Sequence, residues 1–584
     1  MKKDYYQKKL EVATEEEAVI TKKSNQLSLG RLFSFLLFIL FLILWIISSK
    51  MIYGIFGFLV IIIFVVLIIY HNKVLDQKKY FYYLIDTLKE YLDRFDNRWQ
   101  DFSSTGANLN EESFLEDLDI IGESSLYKYI NICKSKNANK KLKERLSIPE
   151  PYDLDLRQKV MVEMADKVDF SLNFQVALKT YDEKSPNLNL IGLLESNNSY
   201  SFSSRYYWLM IIQTFISAII LFLSILKIFK WDYFIALYVN QFLLSFLYSY
   251  NFKHVIYDLD LTLPALSILG PLYKVIEKSE FVNEQLKEYQ NQINRASLGL
   301  KRISKLISLD SIRKNFVGQL LNGILPLNLF IVYRYQRLIK EEADNFIKSI
   351  EAIEDLEVYA SLAIIGQVKE VVTLPKLSQE ITLNFKNIKH PLLKEDDCVA
   401  NSFDLVSHIN IITGSNMSGK TSFLRIIGIN LILMYAGAYV NAESFVAPYL
   451  KIFTSMRIKD DLSKGISTFY AELLRIKEAI DYSEKGQPMI VFIDEIFKGT
   501  NANDRITGAI SMIKRLNLPN VILFITTHDL EICQVVGINI ENYHFSEHYE
   551  EDKIKFDYQL KEGICTTTNA KYLMQLTGII RGDD

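Results

Sequence analysis

The sequence predicts an α/β domain at its C-terminal end, joined to an all-α region that carries two transmembrane helical hairpins. Three observations lead there. From about residue 376 short β-rich runs, "HINIITG" (408–414), "PMIVFIDE" (488–495) and "NVILFITTHD" (520–529), alternate with helical stretches, as in a parallel sheet. Four long apolar runs come in two pairs, 32–49 with 51–70 and 206–226 with 233–250. Most of the rest is helical patterning with interleaved charges. A chain of 584 residues has room for roughly three or four domains. The 49% hydrophobic content is concentrated in the apolar runs, so it signals spans and not a greasy average. A net charge of −3 gives no bulk basic field, so any nucleic acid contact has to come from a local patch. The four cysteines, Cys133, Cys398, Cys533 and Cys565, show no CxxC spacing, which argues against a zinc site and fits free thiols in a reducing compartment.

In order along the chain, residues 1–31 read as a disordered cytoplasmic tail, lysine-rich at both ends. Residues 32–70 read as transmembrane hairpin 1, since each run approaches the roughly 20 apolar residues a span needs; Lys50 marks the turn. The alternative is one broken region lying in the interface. A second apolar run follows at once and no small-residue cleavage site intervenes, which argues against a signal peptide. Lysines 2, 3, 8, 9, 22 and 23 precede this hairpin and lysines 73, 78 and 79 follow it, so the positive-inside rule sets both its ends in the cytoplasm. Residues 71–205 read as helical and soluble. Residues 206–250 read as hairpin 2, flanked by Tyr206, Tyr207, Trp208, Trp231 and Tyr233 as an interfacial belt. Its second arm carries Asn240 and Gln241, and Lys227 and Lys230 in the turn count mildly against the same topology. A buried hairpin in a soluble domain is the alternative here. Residues 251–375 read as helical arms or a lever, and 376–584 as the α/β domain. The expected location is the cell membrane, multi-pass, with the α/β domain in the cytoplasm.

The chemistry sits in that last domain. Gly414-Ser415-Asn416-Met417-Ser418-Gly419-Lys420-Thr421 fits GxxxxGK[ST] between a β-like run and a helical one. Glycines let backbone N–H groups turn toward phosphate oxygens, and a helix N-terminus adds partial positive charge. Lys420 is then expected on the β and γ phosphates of ATP, with the Thr421 hydroxyl on Mg²⁺. "MIVFIDE" ends in Asp494, at the C-terminal end of a strand where ligands bind in such sheets, and Asp494 is expected to hold Mg²⁺ through water. Glu495 is placed to orient or deprotonate the attacking water. "LFITTHD" (523–529) brings His528 to a third strand end, as a candidate γ-phosphate sensor. The bland readings are a surface acidic pair and a structural histidine.

These residues resemble the ATPase domain of the MutS proteins, the ABC-type ATPases of mismatch repair. "IITGSNMSGKTSFLR" (411–425) with its Asn-Met, "DEIFKGTNANDR" (494–505) and "IFTSMRIKDDLSKGISTFYAELLRIKEAI" (452–480) carry the likeness. A weaker stretch, 117–146 followed by 156–166, resembles the start of the family's helical core. The resemblance implies an α/β ATPase domain of ABC/MutS type plus an all-α core and lever. It also implies a homodimer in which each ATP is held between one phosphate loop and the other subunit's signature loop. On that pattern Ser467 touches the γ-phosphate in trans and Asp504 lies at the same interface; Ser467-Thr468 also reads as a plain helix N-cap. His390-Pro391 matches the family's His-Pro, which makes His390 a candidate nucleotide contact, or simply a loop turn. No counterpart of the family's mismatch-reading wedge is visible, the chain stops at Asp584 where the family continues into a helical appendage, and Cys398 stands where the family stacks adenine on an aromatic. Duplex DNA is therefore expected as a sequence-independent partner, with mismatch reading not expected. The basic run 295–314 (Arg295, Lys301, Arg302, Lys305, Arg313, Lys314) is the candidate DNA surface, with an anionic leaflet as its competitor. Two further readings are an ATP-driven membrane scaffold with a protein partner and no DNA, and an ABC-type transporter. The spans carry almost no ionisable residue, where transport sites place them, which weighs against the transporter.

Overall fold

The computed structural model describes residues 2–102, 113–147, 153–184, 190–196, 204–322, 325–415, 417–457, 468–497, 500–550 and 553–565. In chain order the helices before the sheets are α1 (Lys2–Ser48), α2 (Met51–Phe95), α3 (Ser113–Asp117), α4 (Leu126–Ile130), α5 (Lys136–Ser147), α6 (Leu154–Asp166), α7 (Val168–Lys184), α8 (Leu190–Ser196), α9 (Ser204–Ile225), α10 (Trp231–Asn251), α11 (Lys253–Ile268), α12 (Gly270–Glu277), α13 (Glu284–Arg313), α14 (Phe316–Leu321), α15 (Leu327–Leu362) and α16 (Ile364–Val368). The strands are β1 (Lys376–Leu377), β2 (Asn384–Ile388), β3 (Asn401–Asp404), β4 (Ile409–Thr413), β5 (Ser444–Ala447), β6 (Lys451–Ser455), β7 (Met489–Asp494), β8 (Val521–Thr526), β9 (Ile540–His544), β10 (Glu547–Glu550), β11 (Lys553–Phe556) and β12 (Lys561–Glu562). Among them lie α17 (Lys420–Ala436), α18 (Thr468–Ser483) and α19 (Ala502–Leu516).

The chain divides into two compact units. The first comprises Met1–Ile132, Asn139–Val168 and Val358–Asp584; the second comprises Cys133–Ala138 and Asp169–Glu357. In the first unit a six-stranded sheet has the order β12-β9-β4-β8-β7-β6. Its strands from β9 to β6 run parallel and β12 is an antiparallel edge. β4, β7 and β8 are apolar and β-branched because both faces are covered: every residue of β4 and β8 is buried. A smaller sheet, β1-β5-β2-β3, mixes parallel and antiparallel pairs.

The same unit contains a departure from the disordered tail expected at residues 1–31. α1 is one helix of 47 residues, and it packs antiparallel on α2 along its whole length. Tyr6 stacks on Tyr91 with ring centroids 4.6 Å apart, Ser24 meets His71, Phe35 meets Phe64 and Phe41 meets Phe56. The seam on α1 follows a heptad, with Tyr6, Ala13, Ile20 and Ser34 on one register position and Ser24 on the other. At 1.5 Å per residue α1 is about 70 Å long, more than twice the roughly 30 Å hydrocarbon core of a bilayer. Only its second part is apolar, and residues 2–31 form one arm of a helical stalk. The turn falls at Ser49 and Lys50, as expected.

In the second unit α9 and α10 form the expected second hairpin, turned at 226–230. Gln241 is buried between Thr214, to which its amide donates, and Ser217, from which it accepts. By length and composition four stretches among the described residues could cross a membrane: α1, α2, Tyr207–Ile225 and Lys253–Glu277. α10 is not one of them, because Asp232, Asn240 and Gln241 lower its hydropathy, and nearly half of the apolar window in Lys253–Glu277 is buried inside the protein. α14 and the start of α15 adjoin the hairpin: the Tyr238 hydroxyl donates to Leu320 O and Tyr207 stacks on Tyr333 at 4.1 Å. The stretch 251–375, expected as helical arms or a lever, thus touches hairpin 2 at Leu320 and Tyr333.

Candidate functional site

Three neighbouring strand ends assemble the site. β8 lies between β4 and β7, and Thr526 is in register with Ile412 on one side and Asp494 on the other. The loop after β4, the acidic end of β7 and the "TTH" end of β8 therefore meet, although about 70 and about 100 residues separate them in sequence. Thr526 Oγ1 donates to Asp494 Oδ1 at 2.6 Å, and Thr421 Oγ1 donates to Asp494 Oδ2 at 2.9 Å. Both residues expected at Mg²⁺ are thereby side by side.

The loop itself needs its first glycine. At Gly414, with φ +141°, a Cβ would come within 2.7 Å of Phe545 O. Lys420 opens α17, and its ammonium donates to Gly414 O (2.7 Å) and Ser415 O (2.8 Å). Burial holds that ammonium below the usual lysine range, opposed by the Glu495 and Asp494 carboxylates. The Ser418 hydroxyl is buried without a hydrogen-bond partner among the described residues. Met417 is exposed at φ +71°. Asn416 lies outside the described residues, as does Ser467. A charged donor folded onto loop carbonyls, an unpartnered buried hydroxyl and a hydroxyl–carboxylate pair form a donor set that fits a phosphate chain and a hard divalent cation.

Glu495 sits just past the strand in left-handed backbone, φ +54°, with its N–H on Thr526 O and Oγ1. His528 Nε2–H donates to Glu495 Oε1 at 3.1 Å. The two residues singled out for water activation and phosphate sensing are thus a hydrogen-bonded pair. Asp504 is exposed on the first turn of α19, capped by Asn501, and the next residue, Arg505, makes a bidentate pair with Asp529.

His390 is placed differently. It is buried, Nδ1 accepts from Leu392 N at 3.3 Å, and its own N–H points to Cys398 Sγ. Burial, with Lys369 and Arg425 nearby, holds its imidazole neutral, with a pKa down to about 3. Among the described residues its hydrogen bonds stay within the 390–398 turn and reach none of the 414–421 loop. Two residues that sequence reasoning missed lie against that loop. Glu547 accepts from the Ser415 hydroxyl, and the half-exposed Tyr558 ring lies where a Cβ on Gly419 would be 3.1 Å away. Glu547 opens β10 and Tyr558 follows β11, both more than 100 residues downstream, and no local signal marked them.

Comparison with known proteins agrees with this geometry. Residues 410–579 match the family model for MutS domain V. This part of the chain is MutS-like. Its similar curated relatives are DNA mismatch repair proteins MutS: that of Listeria welshimeri is 29% identical over 249 residues, that of Staphylococcus saprophyticus 32% over 249, and that of Thermus thermophilus 26% over 242. Each alignment covers 41% of this chain but only 28–29% of the relative, so the chain spans under a third of the MutS proteins it matches. The matched residues, 410–579, carry the whole of the site described above.

Proposed function

We propose that this chain is a membrane-anchored MutS-type ATPase that hydrolyses ATP in a composite site between two copies and couples the cycle to clamp-like closure on duplex DNA. The observation that carries the reading is the meeting of Lys420, Thr421, Asp494, Glu495 and His528 at three adjacent strand ends. Lys420 and the loop N–H groups bind the phosphate chain. Thr421 and Asp494 hold Mg²⁺, which supplies charge neutralisation at the phosphates. Glu495, oriented by His528, takes the proton of the attacking water, and its fixed backbone aims the carboxylate. Asp504 is exposed on the face the second copy needs. Hairpin 1 and hairpin 2 each tether the chain to the cell membrane, with the α/β domain on the cytoplasmic side.

One observation favours a second reading. Of the six cations proposed for DNA on 295–314, Arg302 pairs with Glu342, and Arg313 and Lys314 pair with Asp260 and Asp310. Arg295, Lys301 and Lys305 remain exposed and have no ion-pair partner among the described residues. That thin footprint suits an ATP-driven scaffold that grips a protein instead. Phosphate contacts release counterions, so DNA affinity has to fall steeply with salt. The deciding experiment takes the Glu495→Gln protein in detergent with ATP and Mg²⁺ and measures duplex DNA binding across a salt series. Steeply salt-dependent binding supports the clamp; no binding at low salt rejects it in favour of the scaffold.

A further inference from the structure

Hairpin 2 carries two amides next to each other in sequence, and the fold treats them in opposite ways. α10 turns one face toward its own chain. There the Tyr238 hydroxyl donates to Leu320 O at 2.9 Å, the Gln241 amide donates to Thr214 Oγ1 at 3.0 Å, and the Ser245 hydroxyl donates to Asn322 Oδ1 at 3.5 Å. At 3.6 residues per turn these positions, spaced i, i+3 and i+7, share one side of the helix. The opposite side presents Tyr233, Ala236, Leu237 and Asn240, which with Ile220 of α9 and Phe229 of the turn line an open apolar cleft of about 520 Å³. Asn240 is exposed there, and its side chain has no hydrogen-bond partner among the described residues.

α10 has 21 residues, a length of about 31 Å that matches a hydrocarbon core of about 30 Å. Asn240 lies about 14 Å along α10 from Trp231, near the middle of such a core. Lipid headgroups and water do not reach that depth, and an amide facing acyl chains there has lost its hydrogen bonds. A polar group carried to the same depth by protein has to satisfy it, and a second copy of α10 supplies one by construction. Two copies inserted with the same topology, related by a two-fold axis along the membrane normal, hold equivalent residues at equal depth. Asn carries both a donor and an acceptor, so two facing Asn240 amides satisfy one another. The surrounding positions suit a seam. Tyr233, Ala236 or Leu237, and Asn240 follow heptad spacing, on which a lone Asn fixes register and the number of strands. Ala236, one turn before Asn240, lets two backbones approach, and the cleft has room for side chains of the facing helix.

We propose that α10 pairs with α10 of a second copy inside the membrane, with Asn240 meeting Asn240 near the bilayer centre. The inference rests on the reading of hairpin 2 as a membrane hairpin. It also gives a reason for the low hydropathy of α10: Gln241 is satisfied within the chain and Asn240 between chains, so neither amide is left against lipid. The pairing holds two copies together whether or not nucleotide is bound.

The test uses the full-length protein in native membranes, in a Cys398→Ser background whose other cysteines are buried. Ala236→Cys, on the cleft, is compared with Ile235→Cys, which is exposed about 100° around the helix. Both are oxidised with copper phenanthroline, and free thiols are blocked before denaturation. Ala236→Cys should give at least fivefold more disulfide-linked dimer than Ile235→Cys. Adding Asn240→Leu should lower that yield at least fivefold, and Asn240→Gln, which keeps a donor and an acceptor, should retain most of it. Equal yields at the two positions, or a yield that Asn240→Leu leaves unchanged, overturns the inference and gives the cleft to lipid chains. Lys230→Cys in the turn, labelled from outside intact cells by a membrane-impermeant maleimide, reads the hairpin separately. Labelling there without an Asn240-dependent dimer rejects the pairing alone, whereas no labelling overturns the membrane reading of hairpin 2 and the pairing with it.

Discussion

At the scale of single residues, the site's chemistry depends on groups held in costly arrangements. Glu495 occupies left-handed backbone that a non-glycine residue seldom adopts, at about 1–3 kcal/mol, and its N–H is tied to Thr526. Such an arrangement is expected where a carboxylate must be aimed. Glu495→Gln should keep ATP binding within a few fold and lower kcat by about 100-fold or more, read by equilibrium binding and single-turnover hydrolysis. A group used only for water attack affects turnover and not binding; normal turnover in this variant would show that another base is used. Lys420→Ala should abolish nucleotide binding, since the ammonium now on two loop carbonyls is the one meant for phosphate. Tyr558→Ala should weaken binding of an adenine nucleotide by about tenfold while leaving inorganic triphosphate unaffected, because stacking on an aromatic ring contributes about 1–3 kcal/mol per base. Lys420, Thr421, Asp494 and Glu495 were legible in the sequence because each lies within a few residues of a recognisable strand end or glycine loop. Tyr558 and Glu547 were not, since their places depend on contacts across more than 100 residues.

At the scale of elements, the stalk shows why charge content misled the reading of residues 1–31. Its seam is heptad-spaced, but Ser24, Ser34 and Glu17 fall on it in place of leucines, so the stretch looks like a solvated tail. The polar layer has its own logic. Arg31 can only donate, so it donates to His71 Nδ1 at 2.9 Å, which leaves the proton on Nε2 for the Ser24 hydroxyl at 3.0 Å. This layer fixes register where the stalk meets the apolar run, as polar seam residues do at some loss of stability. His71→Leu strands Arg31 and Ser24 and should lower the melting temperature. The triple change Ser24→Ala, Arg31→Leu, His71→Leu should recover it, because an apolar layer suits a coiled-coil seam better than half a polar one. Melting in detergent followed by circular dichroism checks both, and a triple variant as unstable as the single one would reject the register argument. In the second unit α15 carries Glu357, fully buried and pushed up to about 7 by burial, although the N–H groups of Lys134 and Ser135 pull it down. A folded-state value above the ordinary one means the folded form holds the extra proton, so this group's contribution is full below about pH 4.5 and is lost as pH rises through 7. Glu357→Gln should therefore resist denaturant better than the parent at pH 8 and match it near pH 5. The reverse order would show that the carboxylate is stabilised as an anion.

At the scale of the whole molecule, the apolar pair decides which parts face which compartment. One fact bears on it: the stalk's lysines, 2, 3, 8, 9, 22 and 23 before the apolar pair and 73, 78 and 79 after it, flank that pair on both sides. An antiparallel hairpin that enters and leaves through one face has its turn, Ser49 and Lys50, on the other. The apolar surface along both arms beyond residue 32 is largely exposed in the isolated chain, and a soluble protein seldom leaves so large a patch uncovered. A lipid bilayer would cover it without any further partner. If that is the arrangement, a cysteine at position 50 reacts from outside intact cells with a membrane-impermeant maleimide, while a cysteine at position 9 or 23 reacts only after permeabilisation. Cys133, Cys533 and Cys565 are buried and only Cys398 is partly accessible, so a Cys398→Ser background leaves a clean signal. Burial already pushes the Cys398 thiol up from its ordinary range, which slows its reaction further. Labelling at 50 alone supports a cytoplasmic ATPase domain reached by a helical stalk. Labelling at 9 or 23 from outside would reverse the topology and deprive the domain of cytoplasmic ATP, and equal protection at all three would mean that the hairpin lies within protein and spans nothing.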